Sequence, residues 1–266
     1  MAVFMSEPII KIRDLHTSFG KRKILHGINL DIYPYETMVI LGRSGCGKST
    51  LLRHIVGLNQ PDSGHIFIKG VDIVHASEKE KNKLLTMMGM LFQNSALFNS
   101  MTVGENVALP LVEHTPQEAS TIKIMTRMKL GLVGLSGFED FMPSQLSGGM
   151  KKRAAMARAL AMDPEILFCD EPSAGLDPIV GVGIDHLILK LKKALKMTIV
   201  VVTHEMESVR IIADRIALLH EGEVKFVGTL EEMEENQDPH IEQFLKRQPD
   251  HAELDPEKYL KNLVGE

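Results

Sequence analysis

Cysteine is scarce here: 266 residues carry two, Cys46 and Cys169. Two isolated thiols build no disulfide framework, which points to a reducing compartment, with the cytosol expected. Long apolar runs are missing as well. The strand-like run 198–203 is the longest and lies between Lys196 and His204, far short of the ~18 residues that cross a bilayer. No basic segment followed by a long apolar one stands at the start, so no signal peptide is expected. Positive charge is not in surplus: 30 Lys and Arg face 35 Asp and Glu, a net charge of −5. That argues against a nucleic-acid binder working through general electrostatics. Internal repeats and low-complexity tracts are also lacking. The hydrophobic fraction of 44% is enough for one large domain, or a core with a lobe.

One stretch organises what is present: Gly42-Arg43-Ser44-Gly45-Cys46-Gly47-Lys48-Ser49-Thr50. Its form, G-x-x-x-x-G-K-S, is a phosphate-binding loop. An apolar run, 37–41, precedes it and reads as a buried strand; Leu51-Leu52-Arg53-His54-Ile55-Val56 follows and reads as a helix. The glycines let successive N–H groups turn inward, and the helix start adds unpaired donors and partial positive charge. Lys48 can reach β/γ-phosphates and Ser49 can ligate Mg²⁺. Cys46, inside the loop, is a candidate oxidation-sensitive position.

Upstream, 9–35 reads as two or three short strands with a basic turn at Gly20-Lys21-Arg22-Lys23. Phe19 is either a strand-end core aromatic or a platform for adenine. Strands are also expected at 65–69 and 88–92, the second ending in Gln93, and the charge run 78–83 is expected as a solvated helix face. Over 94–160 the pattern becomes helical. Thr102 and Glu105 are spaced as a capping box, and Pro110 is expected to end or kink that helix. Ile122, Met125, Met128 and Leu132 recur at steps of three and four, a stripe read as core rather than groove. Ser147-Gly148-Gly149 is either a loop-to-helix joint or a second anion site. The apolar strand 166–169 ends in Asp170-Glu171, a pair suited to holding Mg²⁺ and polarising water. A turn over 173–178, a helix over 184–195 and a strand over 197–203 follow, then His204, structural or catalytic. Residues 214–230 read as a hairpin turning at Glu221-Gly222. The acidic end carries two apolar patches, Ile241/Phe244/Leu245 and Tyr259/Leu260/Leu263. It is either a solvated tail or a docking arm. The expected fold is α/β, a P-loop NTPase core with an N-terminal antiparallel β subdomain and an inserted helical lobe. Its expected division is 1–93 and 161–230 for the core, 94–160 for the lobe and 231–266 for the extension.

The order of these sites resembles that of the ATP-binding cassette (ABC) ATPases over about residues 8–230. Residues 42–50 match Walker A, Gln93 the Q-loop glutamine, and Leu146-Ser147-Gly148-Gly149 the signature motif. Ile166-Leu167-Phe168-Cys169-Asp170 matches Walker B, with Glu171 after it. Ser173-Ala174-Gly175-Leu176-Asp177 matches the D-loop and His204 the switch histidine. Phe19 falls where the family carries its adenine-stacking aromatic. The signature departs from the usual Gln at its fifth position, which is Met150. That substitution resembles the ATPases of MCE-associated, Mla-type lipid transporters, as do the segments 98–115 and 238–245.

The resemblance implies ATP hydrolysis with ATP and Mg²⁺. Phe19, Gly42, Arg43, Ser44, Gly45, Cys46, Gly47, Lys48, Ser49 and Thr50 would bind nucleotide. Ser147, Gly148 and Gly149 would face the ATP of a second copy in a head-to-tail homodimer. Ser49, Asp170 and Gln93 would serve the metal, with Gln93 also sensing water and linking to the helical lobe; Glu171 would be the general base, Lys48 would reach the β/γ-phosphates, Thr50 would contact phosphate and His204 the γ-phosphate. Implied partners are integral-membrane permease subunits and an MCE-domain lipid-binding protein, with no nucleic acid. The chain would sit in the cytoplasm, peripheral on the inner face of the membrane. Three other functions stay open: a small-solute importer ATPase, a soluble cassette protein, and a plain P-loop kinase. The kinase would need neither the signature nor His204.

Overall fold

The structure, a computed structural model, describes residues 7–246. Two long strands, β1 (Ile10–Phe19) and β2 (Arg22–Ile32), occupy the N-terminal stretch and pair antiparallel. β3 (Thr37–Leu41) leads away into a different sheet. β4 (Ser63–Ile68) pairs with β1, and β5 (Val71–Asp72) with β4, giving an antiparallel sheet ordered β2-β1-β4-β5. Alternation sets its buried face: Ile10, Ile12, Ile66 and Ile68 are fully covered, as a one-sided sheet requires.

The second sheet adds β6 (Met88–Leu91), β7 (Ile166–Asp170), β8 (Thr198–Thr203), β9 (Arg215–His220) and β10 (Glu223–Gly228). Its order is β10-β9-β3-β8-β7-β6. β9, β3, β8, β7 and β6 are parallel neighbours, and β10 closes the edge antiparallel to β9 through the expected Glu221-Gly222 hairpin. Every residue of β3, β7 and β8 is buried. Uninterrupted apolar runs of this kind belong to strands covered on both faces. α1 (Lys48–Ile55) follows β3, and α2 (Glu78–Leu85), the charge run, starts at a Ser77 capping box.

The helical stretch contains α3 (Val103–His114), α4 (Ala119–Leu132), a 3-10 turn (Pro143–Gln145) and α5 (Gly148–Ala159). The capping box forms: Glu105 N–H donates to Thr102 Oγ1 at 3.1 Å, and Thr102 N–H to a Glu105 carboxylate oxygen at 2.7 Å. Pro110 does not end α3, which runs on to His114. Its ring removes one intrahelical hydrogen bond, and packing of α3 against α4 and α5 holds the helix across that gap. The methionine stripe is only partly core. Ile122 is buried, but Met128 is 65% exposed and Leu132 39%. The covered face of α4 is turned toward Ile122, Thr126, Lys129 and Leu130. Ala154, Ala155 and Met156 of α5 share one apolar cluster with Val39 and Leu41 of β3, so the helical stretch and the parallel sheet pack as one body.

α6 (Pro178–Leu195) begins six residues before the expected 184. Asp177 caps it, accepting from Val180 N–H at 3.0 Å, and Pro178 takes the first turn, where its missing N–H costs nothing. α7 (Met206–Ile212), α8 (Leu230–Glu234) and α9 (Pro239–Leu245) complete the described residues. Ile241 is fully buried in the main cluster, with Phe244 and Leu245 against it, so this patch packs on its own chain. The Tyr259/Leu260/Leu263 patch lies outside the described residues. No helix among the described residues is long and apolar enough to cross a membrane.

One buried acid sits between α6 and α7. Asp185 Oδ2 accepts from Ser208 Oγ at 2.9 Å, while Oδ1 has no hydrogen-bond partner. Burial pushes its carboxyl up to about 6, against the Ser208 hydrogen bond and with the Glu205 charge adding. An unfolded Asp titrates near ~3.9, so the folded chain holds this proton more tightly. Its contribution to stability falls as pH rises from about 4 to about 6 and stays low above. Asp185→Asn is expected to raise the melting temperature at pH 8 and to flatten its pH dependence below pH 6. An unchanged slope with a lower melting temperature would contradict this.

Candidate functional site

β3 delivers Gly42 to the carboxyl edge of the parallel sheet, and α1 starts at Lys48. The turn between them depends on Gly47, the N-cap, at φ 106°. A Cβ there would lie 2.8 Å from Leu25 Cδ2, so only glycine serves. Lys48 is buried, and its Nζ donates to Gly42 O at 2.8 Å and Arg43 O at 2.9 Å. The ammonium thus sits inside the curve of the loop, 3.9 Å from Glu171 Oε1. Arg43 and Ser44 line a cavity of about 1000 Å³ that also takes in Ser173, Leu176, Asp177 and His204. Ser44 and Gly45 are exposed, and Cys46, Ser49 and Thr50 half-buried. Burial pushes the Cys46 thiol up, the opposite of what an oxidation-sensitive thiol needs, so the structure does not support that expectation.

β7 and β8 lie side by side and end in Asp170-Glu171 and Thr203-His204. Ser49 Oγ donates to Asp170 Oδ1 at 2.9 Å, joining the loop helix to the strand end. Glu171 adopts φ 48°, in the left-handed region where non-glycine residues are strained. Its N–H is tied to Val202 O at 2.9 Å. The carboxylate accepts from Thr203 Oγ1 at 3.3 Å, and His204 Nδ1 lies 2.9 Å from Oε1 and 3.0 Å from Oε2. An ionised carboxylate can only accept, so Nδ1 carries the proton. Burial raises the Asp170 carboxyl, against the Ser49 hydrogen bond. Oxygen donors set 2.9 Å apart around a buried acid suit a hard divalent cation such as Mg²⁺.

Register places Gln93. Leu91 pairs with Cys169, so Gln93, two residues on, emerges beside Glu171. Its side chain is exposed, and its carbonyl accepts from Lys152 Nζ at 2.5 Å. The same ammonium donates to Glu171 O at 3.0 Å. Lys152 is buried, its pKa pulled down by desolvation against the nearby Cys169, Asp170 and Glu171. Sequence reasoning missed this residue. The available signal was its place on the covered stripe of α5, three after Gly149 and three before Ala155, all buried. One turn and a half further along α5, Arg158 donates to Ala96 O at 2.7 Å and Ser95 O at 3.0 Å. Both residues have left-handed backbone, so two cations of α5 hold the loop after β6.

The start of α5 presses on the turn after β7. A Cβ at Gly149 would stand 2.5 Å from Val180 Cγ1, and one at Gly148 3.1 Å from Leu176 Cδ2. Ser147 Oγ caps its own helix through Met150 N–H at 3.3 Å, while Ser147 and Gly148 face outward. Phe19 is 57% exposed at the end of β1, which rules out the core-aromatic reading and leaves a ring face open.

The ABC transporter family model matches residues 25–174. The "Intermembrane phospholipid transport system ATP-binding protein MlaF" of Haemophilus influenzae is 41% identical over 246 residues, 92% of this chain and 93% of that protein. The "Probable ribonucleotide transport ATP-binding protein mkl" of Mycobacterium leprae is 41% identical over 236 residues, 89% of this chain. The chain spans about two thirds of the length of the mycobacterial relatives, 68% for M. leprae and 66% for M. tuberculosis. Among solved structures, the "Dimeric structure of a post-hydrolysis state of the ATP-binding cassette MJ0796 bound to ADP and Pi" aligns at TM-score 0.76 and 33% identity, over 83% of this chain and 98% of that one. With its parallel-sheet P-loop core, antiparallel sheet and helices, the chain belongs to the ABC transporter family and is one of its ATP-hydrolysing cassettes.

Proposed function

We propose that this chain is the energy subunit of a membrane ABC transporter that moves phospholipid-type lipids. The observation that carries the catalytic part is the convergence of Lys48, the Ser49–Asp170 pair and the Glu171–His204 pair on one edge of the parallel sheet. The lipid part rests on the MlaF relative, which matches along nearly its whole length, and on Met150 in the signature. Ribonucleotide transport, the activity in the mycobacterial relative's name, is the second reading. ATPase stimulation of the detergent-solubilised complex with its permease, by added phospholipid or by added ribonucleotide, separates the two.

In this reading Phe19 stacks the adenine, and the 42–50 loop with Lys48 and Thr50 receives the phosphates. Ser49 and Asp170, with Gln93 beside them, hold Mg²⁺, which supplies charge neutralisation at the γ-phosphate. Glu171 takes the proton of the attacking water. His204 Nδ1 and Thr203 Oγ1 orient that carboxylate. Lys152 is a positioning residue: one ammonium ties the Gln93 carbonyl to the Glu171 carbonyl, so the position of loop 93–96 is coupled to that of the general base. Residues 1–93 and 161–230 act as the nucleotide part, 94–160 as the transmitting lobe and 231–266 as an extension.

Ser147, Gly148 and Gly149 serve the ATP of a second copy in a homodimer, consistent with the dimeric cassette it resembles. The permease docks in the groove of about 670 Å³ between α2, loop 93–98 and α3, where Leu85 and Phe98 are exposed. An MCE-domain protein delivers or receives the lipid, and the chain sits on the cytoplasmic face of the membrane through the permease.

Glu171→Gln is expected to lower ATP turnover by ~10²-fold or more, the worth of a general base, while ATP still binds and a dimer accumulates by light scattering. Turnover within a few-fold of wild type would remove Glu171 from that role. Lys152→Met is expected to lower kcat with little change in KM for ATP, and Lys152→Arg to recover part of the loss. Equal kcat in all three proteins would show that the Gln93–Glu171 bridge does not matter.

A further inference from the structure

Away from the nucleotide edge, three ligating side chains meet on the antiparallel sheet. β4 carries His65, β5 ends at Asp72, and His75 follows three residues later. Both imidazoles aim Nδ1 at one oxygen: His65 Nδ1 and His75 Nδ1 each lie 2.8 Å from Asp72 Oδ2. All three donor atoms fall within 4.8 Å of one another. The carboxylate is held in place from its other side, where Val74 N–H reaches Asp72 Oδ1 at 3.2 Å. Phe67 pairs across the hairpin with Asp72, and the His65 ring stacks on Phe67 with centroids 5.8 Å apart. The two imidazole rings are 5.2 Å apart. Strand register and an anchored turn, rather than chance side-chain reach, therefore bring the donors together.

We propose that His65, Asp72 and His75 form a binding site for a divalent cation of the zinc class, separate from the Mg²⁺·ATP site. Zinc takes imidazole nitrogen and carboxylate oxygen at ~2.0–2.2 Å in a tetrahedron, which spaces neighbouring donors by roughly 3.3 Å. Each nitrogen–oxygen separation here is 2.8 Å, so a shift of about half an ångström per side chain makes room for the ion. The ion replaces two N–H···O hydrogen bonds by two nitrogen–metal bonds, and each neutral ring moves its proton from Nδ1 to Nε2. Both imidazoles are more than half exposed. The ion can thus enter from solvent, and the fourth position is left to water. Two nitrogen donors select zinc, nickel, cobalt or copper and select against Mg²⁺ and Ca²⁺, which take oxygen. Bound, the ion joins β4 to the turn 73–75 that leads into α2, the helix preceding β6 and Gln93.

Titration calorimetry of Zn²⁺ into the full chain, in excess Mg²⁺, tests this. One saturable Zn²⁺ per chain is expected. His75→Gln and Asp72→Asn should each weaken it at least ~10-fold, since even the outer-shell partners of a metal are worth that much. Co²⁺ should give tetrahedral visible bands in wild type and lose them in both variants, with thermal melts confirming that the variants fold. Equal Zn²⁺ affinity in all three proteins, or no saturable binding in wild type, would reduce the cluster to a His–Asp–His hydrogen-bond network.

Discussion

A parallel sheet has two unlike edges, because all its strands arrive at the same one. In β9-β3-β8-β7-β6 the strands share one direction, and β3, β7 and β8 are buried along their whole length. None can slip by a residue without drawing a flanking polar side chain, such as Glu36, Glu165 or His204, into the core. The segments after β3, β6, β7 and β8 therefore open together at the carboxyl edge, where ligands of open α/β sheets bind. The phosphate loop, Gln93, Asp170-Glu171 and His204 are each set there by a strand whose register is fixed by burial. The strained backbone of Glu171 persists because its neighbours hold it: Val202 at its N–H, Thr203 and His204 at its carboxylate.

α5 connects that edge to the rest of the molecule. A buried ammonium is costly unless its donors are engaged, and Lys152 directs two of its three to backbone carbonyls from different loops. Arg158 does the same for the turn after Gln93. Carbonyl acceptors on short loops make these contacts sensitive to loop position, so α5 ties loop 93–96 to the end of β7. The same helix begins with Gly148 and Gly149 against Leu176 and Val180. One helix thereby touches the loop after β6, the backbone of Glu171 and the turn after it.

Much of this was legible locally. The phosphate loop is a contiguous motif whose backbone geometry follows from its glycines, and the capping box at Thr102 is a three-residue spacing. The α6 start was within reach too, since Asp177-Pro178 is a cap followed by a first-turn proline, but the glycines and proline of that stretch read more strongly as a turn. Pro110 does not stop α3 because the cost of one lost helical bond is local, while the packing that offsets it comes from α4 and α5. Met128 misled because hydrophobic spacing finds a stripe without saying which neighbour covers it. Lys152 was passed over because a lysine beside Lys151 and Arg153 reads as surface charge, and its partners are 59 and 19 residues away.

By itself the sequence determined the motifs and their order along the chain: a G-x-x-x-x-G-K-S loop, a carboxylate pair at a strand end and a histidine. Those follow from residue type and short spacing, which backbone sterics and hydrogen bonding translate directly into shape. Only the tertiary structure decided which carbonyls Lys152 bridges, that Ile241 packs on its own core, that Phe19 is exposed, and that His65 and His75 share one carboxylate oxygen. Each depends on strand register or helix rotation, which are set by long-range burial and are not fixed by any short window of sequence.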